Sequence, residues 1–191
     1  MASIYKDFSK LTKLPIYLKD VKDFVLKTGC AQAITRYPVD IDELHLHGML
    51  RVFRDKPPYA LEERVMAQIA YYRGLDEPEI RLVCCKEMLH LLDNHHETAS
   101  TRELVSQLID DVTLPIEAVM SLPGLTDHSR IVDALCVLVP SAAANLLRAA
   151  HRENKISPDD VATLARIPEP FARVILTDRF AELQQTIMSE K

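Results

Sequence analysis

The chain has 191 residues, of which 48% are hydrophobic and 27% are charged, and its formal net charge is -5 at pH 7. This composition is typical of a globular chain with one good core or two small ones. No apolar run approaches the roughly 20 residues that a membrane-spanning helix needs, and the lysine-rich start does not resemble a secretory signal, so a cytoplasmic protein without membrane contact is expected. The net charge gives no general attraction to nucleic acid.

The distribution of charge, cysteine and glycine excludes several kinds of site. Lys and Arg outnumber Asp and Glu over residues 1–60, whereas acidic residues dominate over residues 61–140. The four cysteines lack the paired spacing of a zinc knuckle and are expected to be buried free thiols: Cys30, Cys84, Cys85 and Cys136. Four unclustered glycines cannot make a phosphate-binding loop.

The sequence of residues 15–74 predicts two helices and two strands. Residues 15–28 are expected to form a helix that opens at Pro15 and stops at Gly29. Pro38 and Asp40 then indicate the start of a short helix, which continues to about His47 and is followed by a strand in MLRVF. Residues 67–74, AQIAYYRG, are typical of a second strand or the edge of a hairpin, and a turn cluster follows them.

The middle of the chain predicts two further helices. From Glu79 onward the apolar residues repeat with the helical period, and one stripe contains Leu82, Cys85, Leu89 and Leu92. Asp93 and Asn94 are expected to end this helix. The segment STRELVSQLIDDV begins with a capping box of Ser100 and Glu103, which predicts a helix that ends before Leu114 and Pro115.

The pattern beyond about residue 125 predicts helices throughout, and two segments of this region resemble each other. The segments 132–147 and 160–176 each place an apolar helix before a turn, at Val139-Pro140 and Ile167-Pro168, and each has an alanine four residues further on. The second copy resembles a helix-turn-helix, with Ser157 and Asp159 as an N-terminal cap. If it contacts DNA, three side chains are expected to bind phosphate: Arg166, Arg173 and Arg179. The alternative is a plain helical hairpin.

The most informative stretch is RLVCCKEMLHLLDNHHE, residues 81–97. The H-E-x-x-H motif of zinc peptidases needs two histidines one helical turn apart and a glutamate beside the first. Here the corresponding frame is KEMLH, from Lys86 to His90. The frame therefore keeps the glutamate and the second histidine and carries a lysine at the first position.

Residues 81–92 resemble the R-F-T-x-A-H-E-x-G-H-x-L helix of the ImmA/IrrE-type metallopeptidase family. PVDIDEL at 38–44 is similar to that family's entry motif, and TLP at 113–115 is similar to the end of its downstream helix. The resemblance spans roughly residues 20–150. It implies an α+β fold that is mainly α, with a zincin-like domain and small sheet over residues 1–124 and a helical region over residues 125–191.

The resemblance also implies a site, and this chain departs from it at two of three metal ligands. Glu87 takes the place of the catalytic base and His90 that of the second ligand. The first ligand is Lys86, and the downstream acidic ligand falls on Leu104, with Glu103 beside it. A lysine ammonium has no lone pair until it loses a proton, at a pKa of about 10.4. We therefore expect a vestigial cleft of Lys86, Glu87, His90 and Glu103 without a metal or cofactor, in which Lys86 pairs with Glu87 or fills the metal position.

The expected function is that of a non-catalytic binding or regulatory protein of a bacterium or phage. Relatives in the resembled family commonly act beside helix-turn-helix regulators in prophages, mobile elements and stress responses, which implies a protein partner, possibly a transcriptional regulator. Two alternatives remain open. One is a metal-dependent peptidase whose zinc is held by His90 and His96 with Glu87, since positions 86, 90 and 96 match the extended metzincin spacing. The other is a helix-turn-helix DNA-binding regulator.

Overall fold

A computed structural model of the chain describes residues 2–40, 48–56, 62–92, 99–100 and 122–190. These residues form an α+β fold that is mostly helical, which confirms the predicted class. One mixed sheet holds four strands in the order β1-β3-β2-β4, and helices cover it. Within the described part of the chain, no single helix is long and apolar enough to cross a membrane; one bent pair of helices passes that test together, with a bend of 77° between Leu138 and Ser141.

Two helices precede the sheet, α1 (Ala2–Phe8) and α2 (Leu18–Lys27). α1 buries its apolar face, and the ring of Phe8 meets the ring of Phe24 edge-on at a centroid distance of 6.0 Å. α2 starts three residues later than Pro15, because Tyr17 is still extended and acts as the N-cap. The predicted stop is confirmed, since Gly29 has a φ of 82°, which glycine adopts without strain.

The sheet consists of β1 (Ala33–Val39), β2 (Gly48–Asp55), β3 (Arg64–Tyr72) and β4 (Ala99–Ser100). β3 is central: it runs parallel to β1 and antiparallel to β2, which in turn pairs antiparallel with β4. The two predicted strands are confirmed as β2 and β3. The helix predicted to start at Pro38 is wrong at that residue, because Pro38 lies within β1 opposite Tyr71. An edge strand tolerates proline since its outer side needs no N–H donor; residues 41–47 lie outside the described part.

Helix α3 (Glu77–His90) follows the sheet and starts two residues before the predicted position. Asp76 caps it: its side chain accepts a hydrogen bond from the Glu79 N–H at 2.8 Å, and the Glu79 carboxylate accepts one from the Asp76 N–H at 2.8 Å. Every residue from 81 to 90 is buried, so the predicted apolar stripe is only one face of a helix enclosed on all sides. The sheet packs on one side of α3 and the next helix of the described chain on another.

The C-terminal region is helical, as predicted, and comprises α4 (Leu122–Leu138), α5 (Ser141–Arg152), α6 (Pro158–Ala165), α7 (Glu169–Ile175) and α8 (Asp178–Glu190). Both predicted X-Pro turns separate helices, the first between α4 and α5 and the second between α6 and α7. Ser157 caps α6 as predicted, but its reciprocal partner is Asp160 and not Asp159, because Asp160 is the third residue of the helix.

One hydrophobic core joins the two ends of the chain. It includes side chains of α1, α2, the sheet and α3 together with those of α4 to α8. The boundary predicted between residues 124 and 125 falls inside α4. The helix predicted from Ser100 cannot be compared, since Ser100 is paired with Gly48 in β4 and residues 101–121 lie outside the described part.

Candidate functional site

The candidate site lies on α3, and a buried arginine holds that helix in place. The Nε of Arg81 donates to the carbonyl oxygen of Arg166 at 2.9 Å, and its Nη2 donates to the carbonyl oxygen of Ile16 at 2.7 Å. Burial lowers the pKa of this guanidinium. Arg81 therefore joins the first half of α3 to the segment before α2 and to the end of α6, a positioning role that the sequence analysis did not predict.

Lys86 and Glu87 form an ion pair inside the protein. The Nζ of Lys86 lies 3.0 Å from Oε1 of Glu87, and the two side chains are 1% and 0% exposed. The pairing expected for a lysine at this position is thus present, and Lys86 is not a solvated surface residue. Because burial of a charge without a partner costs several kcal/mol, the two opposite charges stabilise each other in this position.

His90 lies one helical turn beyond Lys86 on the same helix and is 3% exposed. Three members of the predicted cleft, Lys86, Glu87 and His90, therefore lie close together along α3. The remaining candidates, His96, Glu103 and Leu104, lie outside the described residues. Their proximity to the site on α3 stays a prediction.

Strand β2 crosses α3 closely at Gly48, a residue that the sequence analysis did not single out. A Cβ atom built on Gly48 would lie 2.3 Å from Cγ1 of Val83 and 3.4 Å from Oε1 of Glu87. Real Cβ atoms do not approach a methyl carbon so closely, so only glycine fits here without a shift. The backbone of β2 thereby forms one wall around the Glu87 carboxylate.

The described arrangement does not fit a catalytic zinc. Such a zinc needs three protein ligands and one open position for water. The described residues contain no group of three His, Cys, Asp or Glu side chains that could hold a metal ion. The Lys86 ammonium, a positive charge, lies 3.0 Å from Glu87. It would repel a second cation and hold the carboxylate that a peptidase needs as its base.

The cysteines next to this site are poor nucleophiles. Burial raises the pKa of Cys84 to about 11, although the nearby Arg36 guanidinium opposes the shift. Burial also raises the pKa of Cys85, whose Sγ lies 3.9 Å from the carbonyl oxygen of Ala134. All four cysteines are free, and of these Cys84, Cys85 and Cys136 are buried as predicted, whereas Cys30 is half-buried. Thiols with raised pKa values carry little thiolate near pH 7, so Cys84 and Cys85 are packing residues.

The three arginines considered for DNA contact lie on three separate segments. Arg166 follows α6 with a φ of 51°, Arg173 belongs to α7, and Arg179 belongs to the first turn of α8. The Arg173 side chain is already engaged, because its Nε donates to the carboxylate of Glu169 one turn earlier. Helix α7 therefore presents a neutralised arginine and not a basic recognition surface.

Comparison with known proteins adds no family to this description: no family model, no curated protein and no solved structure matches the chain.

Proposed function

We propose that this chain is a non-catalytic, zincin-like protein that acts in the cytoplasm of a bacterium or phage-infected cell as a binding or regulatory factor. One observation carries the proposal, the buried ion pair of Lys86 and Glu87 at 3.0 Å. A metallopeptidase uses this glutamate to take a proton from a metal-bound water. In this chain the carboxylate instead balances a lysine, which stands where the resemblance requires a metal ligand.

The burial of the pair strengthens this argument. A lysine on a solvated surface could move aside when a metal arrives, but a side chain that is 1% exposed has little room to do so. Moving the ammonium away would also break this buried pair, which costs about 3–5 kcal/mol. The burial and pairing of Lys86 therefore support the proposal that an ion pair takes the place of a metal here.

The regulatory part of the proposal is supported by the resemblance of residues 81–92 and of their flanking motifs. With catalysis lost, a retained scaffold serves by contact with another protein, and a transcriptional regulator is the partner that the resemblance implies. DNA contact through α6 and α7 is not favoured, because Arg173 is paired with Glu169 and because Asp159, Asp160 and Glu169 add negative charge to the first turns of these helices.

Zinc content and peptidase activity, measured on the same purified preparation, test the proposal. We expect less than about one-tenth of an equivalent of zinc, because His90 and Glu87 alone cannot hold the ion at physiological free-metal levels. We also expect no cleavage of an unfolded protein substrate with or without added zinc. Stoichiometric zinc that survives dialysis against a weak chelator, together with metal-dependent cleavage, would overturn the proposal.

The same preparation separates the two alternatives. If His90 and His96 hold a zinc ion, His96→Ala lowers the metal content, and His151→Ala, a histidine remote in sequence, serves as the matched control. If α6 and α7 bind DNA, a duplex binds at about 0.15 M salt with strong salt dependence, and Arg173→Glu abolishes the complex. We expect no such complex.

A further inference from the structure

A groove on the other side of α3 is separate from the Lys86–Glu87 pair. It encloses about 440 Å³ between α2, β1, β3 and α3, within the roughly 300–1,000 Å³ of small-molecule sites. Its lining includes four apolar side chains, called its floor below: Leu18, Ile34, Ile69 and Met88. Because Met88 points into this groove while its neighbour Glu87 lies against β2, the groove and the vestigial cleft occupy different faces of one helix.

The rim of the groove is positively charged. Lys19 and Lys22 on α2 and Arg36 on β1 line it, and among the lining residues that the structure describes there is no Asp or Glu. Lys19 is paired with Asp23 at 2.5 Å, so Lys22 and Arg36 supply the local excess of positive charge. This local positive charge is opposite in sign to the net charge of the chain, which is -5.

We infer that this groove binds a small amphipathic anion, a molecule with one carboxylate and an apolar body. The guanidinium of Arg36 can donate two parallel hydrogen bonds to a carboxylate, and the ammonium of Lys22 adds a second charge. The apolar body lies on the floor, where its burial is favoured by the hydrophobic effect. A bare anion such as phosphate would leave that floor uncovered, and a cation would be repelled by the rim.

This inference does not depend on the proposed function, because the groove uses neither Lys86, Glu87 nor His90. Bound zinc together with metal-dependent cleavage would contradict the proposed function. Absence of ligand binding in the groove would contradict only this inference. The two outcomes are therefore distinguishable in one preparation of the protein.

Three ligands with one tail and different head groups test the groove. The full-length protein is titrated with decanoate, 1-decanol and decylammonium below their aggregation concentrations, and binding is followed by calorimetry and by amide chemical shifts. We expect saturable one-to-one binding of decanoate, with shifts centred on Lys22, Arg36 and Met88. Decanol should bind at least about tenfold more weakly, since it lacks the charge-assisted hydrogen bonds, and decylammonium should not bind. Inorganic phosphate, the head-group charge without a tail, should bind more weakly than decanoate.

Single substitutions test whether the charged residues of the rim contribute to decanoate binding. Arg36→Met and Lys22→Met should each weaken decanoate binding by on the order of tenfold, because each removes a charged donor while keeping a side chain of similar length. Lys27→Met is the control, as Lys27 is an exposed lysine at the far end of the same α2 and does not line the groove. Equal binding of decanol and decanoate, shifts centred elsewhere, phosphate binding as tight as decanoate, or no binding of decanoate would each overturn the inference.

Discussion

Lys86 and Glu87 are neighbours in sequence, and neighbours on a helix ordinarily point in different directions. The long side chain of Lys86 nevertheless brings its Nζ to 3.0 Å from the Glu87 carboxylate, within a region closed to solvent. A buried pair of this kind is weak support for stability as a whole, since desolvation of both charges offsets much of their attraction. Removal of only one of the two side chains is destabilising, because the remaining buried charge then loses this partner.

Lys86→Met is therefore expected to lower the free energy of unfolding by about 3 kcal/mol at pH 7. The double substitution Lys86→Met, Glu87→Leu should recover most of the loss, since neither charge of this pair is then left in the interior. Urea unfolding of the single and double variants at pH 7 measures both effects.

Lys19→Met is the matched control for this cycle. Lys19 also pairs with an acidic residue, Asp23, but both side chains are exposed to solvent. Surface pairs contribute little to stability, so no measurable change is expected. A Lys86→Met variant as stable as the Lys19→Met variant would show that the ammonium of Lys86 is not needed inside the fold.

Other elements surround α3 on all sides, so the segments that pack against it have little space for larger side chains. β2 reaches it through Gly48, where a methyl group would lie 2.3 Å from Cγ1 of Val83. Gly48→Ala should lower the free energy of unfolding by about 1–3 kcal/mol, the usual cost of overpacking. Adding Val83→Ala should restore part of that stability, because it removes the methyl groups that clash. Thermal or urea unfolding of the four proteins of this cycle gives the coupling energy.

Two results would contradict this account of the contact between β2 and α3. If Gly48→Ala were neutral, or if Val83→Ala made it worse and not better, β2 would not approach α3 as closely as the structure shows.

The sequence allowed the start of α6 to be placed correctly, because the hydroxyl cap Ser157 acts locally, and the helical period placed the start of α3 within two residues. It also allowed the central strand β3 to be predicted from its β-branched and aromatic residues. β1 was missed since Pro38 is a strong local signal against a strand, and only the position of β1 at the sheet edge makes it acceptable. The burial of Lys86 and the proximity of Gly48 to Val83 depend on contacts between distant segments, which a local pattern cannot show.

At the scale of the whole molecule, the two regions divided at residue 124 share one core. α4 packs against α3 and contributes buried side chains such as Leu135 and Leu138, and Arg81 on α3 donates to the carbonyl oxygen of Arg166 at the end of α6. The C-terminal helices thus cover a face of the helix that carries the candidate site.

A fragment of residues 1–124 is accordingly expected not to fold on its own. Without α4 the apolar face of α3 would be exposed to water. A chain of that size buries little apolar surface beyond what it needs in order to fold. Its heat unfolding should show no cooperative transition, and its amide signals should have the narrow dispersion of an unfolded chain. A cooperative transition with dispersed signals would mean that the first 124 residues are an independent domain.

The proposed replacement of a metal by the Lys86–Glu87 ion pair is tested most directly by building the metal site that the resemblance implies. Lys86→His restores the H-E-x-x-H pair, and Leu104→Glu supplies the acidic ligand that the resemblance assigns to that position. The melting temperature of this double variant should rise on addition of zinc, because a ligand that binds only the folded state stabilises it. The unaltered protein and the Lys86→Met variant should show no zinc response. A zinc response of the unaltered protein, or a folded double variant that shows none, would contradict the assignment of Lys86 to the metal position.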